Sequence, residues 1–176
     1  MSPDYRQDKA WADAYISHMK EIVGLHIVSE APELEDARHN TDLIVLGMSA
    51  VRVACRLRSH EYLAPYGHEF TIRSDRPSGA DTELLKVVSG FGDFLLYGFA
   101  SADEPGRMCA WTLGDLSVFR RWWSQRLASM GAGQCPGREL SNRDGSSSFR
   151  VFRFDELPAD FVVAQCAATR QLELAA

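Results

Sequence analysis

The chain has 176 residues, 45% hydrophobic and 24% charged, the length and balance of one globular domain with its own core. Its formal net charge of −5 excludes the overall basic footprint of a protein that coats nucleic acid non-specifically, but leaves room for local arginine clusters that hold phosphate. Cys55, Cys109, Cys135 and Cys166 form no close pair, which disfavours structural zinc and a disulfide framework and points to a reducing, cytoplasmic setting.

Met1-Ser2-Pro3-Asp4 has neither the basic nor the apolar stretch of a secretory signal. No apolar run reaches the roughly 20 residues of a membrane span, so no membrane partner is expected. A helix is predicted over Asp8–Ser29, where Trp11, Tyr15, Met19 and Ile22 recur at helical spacing. Polar, acidic Ala31–Asn40 reads as a loop. Leu43–Leu46 is a short strand, Gly47–Ala50 a hairpin loop, and Val51–Arg58 a second strand with the clearest alternation in the chain. There Val51, Val53, Cys55 and Leu57 face one way, and Arg52, Ala54, Arg56 and Arg58 the other.

His60–His68 is turn-like, and Glu69–Ser74 is a third strand in which Phe70 and Ile72 alternate with Glu69, Thr71 and Arg73. Pro77 and Gly79 make Asp75–Ala80 a loop. A helix follows from Asp81 or Thr82 to Ser89, stopped by Gly90. Asp93–Ala100 and Met108–Leu113 are further strands. Asp115 caps a helix to Ser129 with Leu116, Phe119, Trp123 and Leu127 on its buried stripe. Gly131–Ser148, rich in Gly, Ser, Asn and Pro, reads as a long mobile loop. Phe149–Phe154 is the last strand, followed by a turn or short helix over Asp155–Phe161 and a helical or frayed tail after Ala164. Residues 1–176 are thus expected to form a single α/β domain of mixed, α+β character, a central mixed sheet flanked by helices.

Thr41-Asp42-Leu43-Ile44 opens one strand with a carboxylate, and Val51-Arg52-Val53-Ala54-Cys55-Arg56 forms the next. With the order helix, three strands, helix, strand over Asp8–Ala100, these segments resemble the restriction-endonuclease-like core of the PD-(D/E)XK nuclease-like superfamily. In that superfamily carboxylates hold a divalent cation, usually magnesium, and a lysine positions or activates water. The resemblance implies Asp42 as a metal ligand. Ala54 stands where the second carboxylate belongs, and Arg56 where the lysine belongs. Alanine binds no metal, and arginine stays protonated, suited to phosphate but a poor base. A complete site therefore needs a carboxylate from Glu21, Glu30, Glu69 or Glu83. With Glu69 in that place, the implied catalytic set is Asp42, Glu69 and Arg56, with magnesium on Asp42 and Glu69. Arg52, Arg58, Arg73 and Arg76 extend it as a face for nucleic acid.

Register decides whether Asp42 and Arg56 meet. Pairing Leu46 with Arg52 sets Asp42 opposite Arg56, the expected arrangement; pairing Leu46 with Val51 sets it opposite Cys55.

Two functional readings follow. One is a non-catalytic or degenerate protein of this type that binds nucleic acid or a protein partner; the other is a metal-dependent nuclease with a rearranged site. Ala54 and the acidic net charge favour the first. Against both stand an unrelated α/β domain and a solvated sheet face, its arginines paired across strands with Glu69, Thr71 and Arg73. Arg73–Glu83 also places arginines before a helix start, but it lacks the ending of a P-loop and reads as a capped loop. Trp122, beside Arg120-Arg121, would mark a partner-binding helix if exposed.

Overall fold

A computed structural model of the chain describes residues 3–30, 43–45, 51–75, 77, 79, 81–142 and 144–167, except the side chains of 3–6, 8, 26–30 and 43–45. Asp42, Leu46, the expected hairpin loop and Arg76 lie outside the described residues.

In chain order the first elements are helices α1 (Pro3–Asp13) and α2 (Ile16–Ile27) and strands β1 (Val28–Glu30), β2 (Leu43–Val45) and β3 (Val53–Arg58). A 3-10 turn, His60–Tyr62, runs into the one-turn helix α3 (Leu63–Tyr66), then strand β4 (Glu69–Asp75) and helix α4 (Glu83–Val88). Strands β5 (Phe94–Ala100) and β6 (Met108–Asp115) lead into helix α5 (Leu116–Ala128). Strands β7 (Arg138–Ser141), β8 (Ser148–Arg153) and β9 (Val162–Cys166) complete the order. Among the described residues three sheets result: β1-β2, a four-stranded β3-β5-β6-β9 and a three-stranded β4-β8-β7. In the largest, β3 runs parallel to β5 and the other neighbours are antiparallel, so the fold is the expected mixed sheet with helices.

The expected hairpin between Leu43–Leu46 and Val51–Arg58 is corrected. β2 pairs with β1, Ile44 against Ser29, and β3 pairs with β5, Arg56 against Tyr97. Neither hairpin register occurs among the described residues. A parallel pair needs a long crossover, not a tight turn. Residues 59–93 supply it, carrying α3, β4 and α4. Strand β4 therefore leaves the sheet of β3 and pairs with β8, Thr71 against Val151.

Alternation along β5 divides the core. Leu95, Tyr97 and Phe99 pack with Phe70, Phe119, Phe152 and Phe161, while Leu96 and Ala100 pack with Tyr15, between the first two helices, and with Met19 and Ile22 of α2. With both faces covered, the strand reads as one continuous apolar run. The single helix expected over Asp8–Ser29 is two, since Ala14 and Tyr15 donate to carbonyls three residues back, at 3.3 and 3.1 Å, and tighten the turn.

Helix α5 begins as expected: Asp115 Oδ1 accepts from the Ser117 and Val118 amides at 2.6 and 3.3 Å. Trp122, however, is buried, which removes it as a partner-binding surface and as a stacking platform for bases. Phe152 is the reason. The rings of Trp122 and Trp123 both lie 6.1 Å from it, so α5 straddles β8 and buries two adjacent positions.

The loop expected over Gly131–Ser148 contains β7, and β9, whose Ala164 pairs with Leu113, runs into the start of the tail expected to be helical or frayed after Ala164. Arg150 organises the first, donating to the carbonyls of Cys135, Pro136 and Gly137 and to Glu139 Oε2.

Packing over β6 leaves no room at Gly114, where an added Cβ would sit 2.3 Å from the Phe161 ring. Gly114→Ala is expected to destabilise by about 1–3 kcal/mol through overpacking, read as a lower urea midpoint.

His18 ties α2 to the sheet through Nδ1, which accepts the Met108 amide at 2.9 Å. Burial, then the Arg107 guanidinium, holds its pKa below the ordinary 6.5, against the smaller opposing pull of Glu21 and Glu104. The unfolded chain therefore takes up a proton near 6.5 that the folded state refuses, so this contribution is complete above that pH and lost below it. Tm is expected to fall on acidification below this point. His18→Gln, which keeps an acceptor but does not titrate, is expected to flatten that limb of the Tm–pH curve.

Candidate phosphate-binding cleft

Period-two alternation of β4 sends Phe70 and Ile72 into the core and turns Glu69, Thr71 and Arg73 to the other face. That face lines a cleft of about 620 Å³. Strand β3 contributes Arg56 and Arg58 to it, the 3-10 turn and α3 contribute Tyr62 and Tyr66, and β7 with its following turn contributes Arg138 and Asn142. Four arginines and one glutamate thus line a single cavity in a chain of formal net charge −5. Such a cavity concentrates positive potential locally, which the overall charge does not reveal.

Each cation is held differently. The Arg58 guanidinium sits 4.5 Å from the centroid of the Tyr62 ring and donates to Thr71 Oγ1 at 3.4 Å. Thr71 Oγ1 in turn lies 3.4 Å from the Tyr97 hydroxyl. The Arg56 guanidinium is paired with Glu83, whose Oε2 also accepts the Arg73 amide at 3.1 Å. Glu83 opens α4, so this helix start is already complemented, with Thr82 Oγ1 accepting from Leu85 at 3.3 Å. The Arg73 guanidinium has no ion pair among the described residues. Arg138 faces Glu69, 3.7 Å from its Oε2.

The cross-strand ion-pair reading does not survive the topology. β3 and β4 lie in different sheets, and Arg56 reaches Glu83 on α4 rather than Glu69 on β4. Of the residues the sequence singled out, the cleft gathers Arg56, Arg58, Glu69 and Arg73. It does not gather Arg52, which is exposed at the far end of β3 with its amide on Asp93 Oδ2 at 2.7 Å. Cys55, expected on the apolar face of β3, is exposed, although Val53 and Leu57 on that face pack against the core.

The sequence reading missed Tyr62, Tyr66 and Arg138. The tyrosines carry a signal: they are four residues apart, and their ring centroids lie 6.2 Å from each other across the turn and α3. Arg138 carried none, since β7 is defined only by its pairing with β8.

Magnesium wants several oxygen ligands. Arg138 and His68 lie 3.7 and 3.8 Å from Glu69, and among the described residues no group of three His, Cys, Asp or Glu is placed to hold a metal ion. Asp42, the other ligand of the expected magnesium site, lies outside the described residues. Among the described residues, no helix is long and apolar enough to cross a membrane. No family model, curated protein or solved structure matches the chain.

Proposed function

We propose that this protein binds single-stranded nucleic acid through the cleft and does not cleave it. The observation that carries the reading is the convergence of Arg56, Arg58, Arg73 and Arg138 with Tyr62 and Tyr66 around one cavity. Guanidinium groups match phosphate oxygens in geometry and charge. Tyrosine faces offer stacking to any unpaired base, and a duplex hides the faces they would use. Ala54 supports the non-catalytic form, because no carboxylate stands beside Arg56 on β3.

Fluorescence anisotropy with labelled oligonucleotides tests this. The single strand is expected to bind more tightly than the duplex of the same sequence. Three or four phosphate contacts predict a slope of log K against log salt of about −2 to −3. Duplex preference, or affinity indifferent to salt, would overturn the reading. Cleavage with magnesium that disappears in Asp42→Ala would replace it with the nuclease.

A further inference from the structure

Among the described residues Glu69 is the one anion lining the cleft, and its side chain is only 9% exposed. Arg138 and His68 stand off at 3.7 and 3.8 Å, and among the described residues no hydrogen bond ends on its carboxylate. Both oxygens retain lone pairs, so a ligand that supplies N–H groups can pair there. Glu69 and Arg73 are four residues apart on one strand, about 13 Å by strand rise, with Thr71 between them on the same cavity. The cleft therefore offers a two-oxygen acceptor at one end and, at the other, a guanidinium with no ion pair among the described residues.

A matching ligand has two adjacent N–H donors on a planar edge, a phosphate at its far end and no positive charge that four arginines would repel. Guanine presents N1–H and the N2 amine side by side, one for each carboxylate oxygen. Adenine and cytosine set an amine beside a ring nitrogen that accepts, and uracil sets its one N–H between two carbonyls. Each of these turns a lone pair toward Glu69.

Building on the phosphate-binding reading above, we propose that the cleft selects guanine, with Glu69 accepting from N1–H and the N2 amine while Arg73 and Arg58 hold the phosphate. Calorimetric titration with GMP, IMP, AMP, UMP and inorganic pyrophosphate at one ionic strength tests it. GMP is expected to bind at least about tenfold more tightly than AMP or UMP. IMP, which lacks the N2 amine, is expected to fall between them. Glu69→Gln is expected to bring GMP down to the level of AMP and to leave pyrophosphate no weaker. The IMP comparison uses the unmodified protein, so it holds whether or not that variant folds. Equal binding of GMP, IMP, AMP and UMP, all weakened by Arg73→Ala, would overturn base selection and leave the phosphate reading standing. Failure of every nucleotide and of pyrophosphate to bind would overturn both.

Discussion

Replacing Phe70 by alanine is expected to remove about 3–5 kcal/mol of stability, the range for truncating a buried phenylalanine. Phe70 is fully buried, and its ring lies within 6.2 Å, centroid to centroid, of Tyr97, Phe119, Phe152, Phe154 and Phe161. Those five rings come from the four-stranded sheet, from α5, from β8 and from the 3-10 turns Phe154–Glu156 and Ala159–Phe161 that follow it. One side chain thus joins the two larger sheets and α5, and the void it leaves cannot collapse without moving all of them. The loss is a large part of the roughly 5–15 kcal/mol that stabilises a domain. At this size it lowers Tm by about 10 °C. Phe91→Ala is the control: that ring is 65% exposed, and its removal is expected to change the urea midpoint little. Equal midpoints for the two variants would mean that β4 does not pack as described. Because Phe70 sits between Glu69 and Thr71, the same variant is expected to loosen the cleft.

The second large effect concerns binding. Arg58→Ala combined with Arg73→Ala is expected to weaken single-stranded oligonucleotide binding by about a hundredfold, roughly tenfold for each charge-assisted hydrogen bond to phosphate that is removed. The salt slope is expected to become shallower by about 0.7 for each charge removed. Arg58 and Arg73 are chosen over Arg56 because Arg56 is already paired with Glu83. Arg58→Lys is expected to fall between wild type and alanine, since it keeps the charge but gives up the planar stack on Tyr62. Arg52→Ala, outside the cleft, is expected to leave both affinity and slope nearly unchanged. Wild-type affinity in the double variant would place the binding surface elsewhere.

The cleft was partly legible in the sequence because strand alternation is a local property. Glu69, Thr71 and Arg73 share a face of β4, and Arg56 and Arg58 share a face of β3, whatever those strands pair with. The caps were legible for the same reason: Asp115 and Thr82 each bond an amide two or three residues on. The sheets were not. Nothing near Val53 announces a parallel partner forty residues later, and a hairpin is the economical reading of two short strands with a small loop between them. The burial of Trp122 escapes a helix stripe because a stripe assumes one packing surface, whereas α5 meets Phe152 from both sides.

Residue order alone therefore determined which side chains face together along each strand and where α4 and α5 begin, since these depend on backbone geometry over a few residues. Only the tertiary structure decided that β3 pairs with β5, that β4 crosses into a second sheet, and that their arginine faces meet across a cleft with Arg138 and two tyrosines. The reason is that strand pairing is chosen by burial. β5 must cover both of its faces, and the crossover that lets β3 lie beside it carries β4 out of the sheet and opposite its own neighbour in sequence.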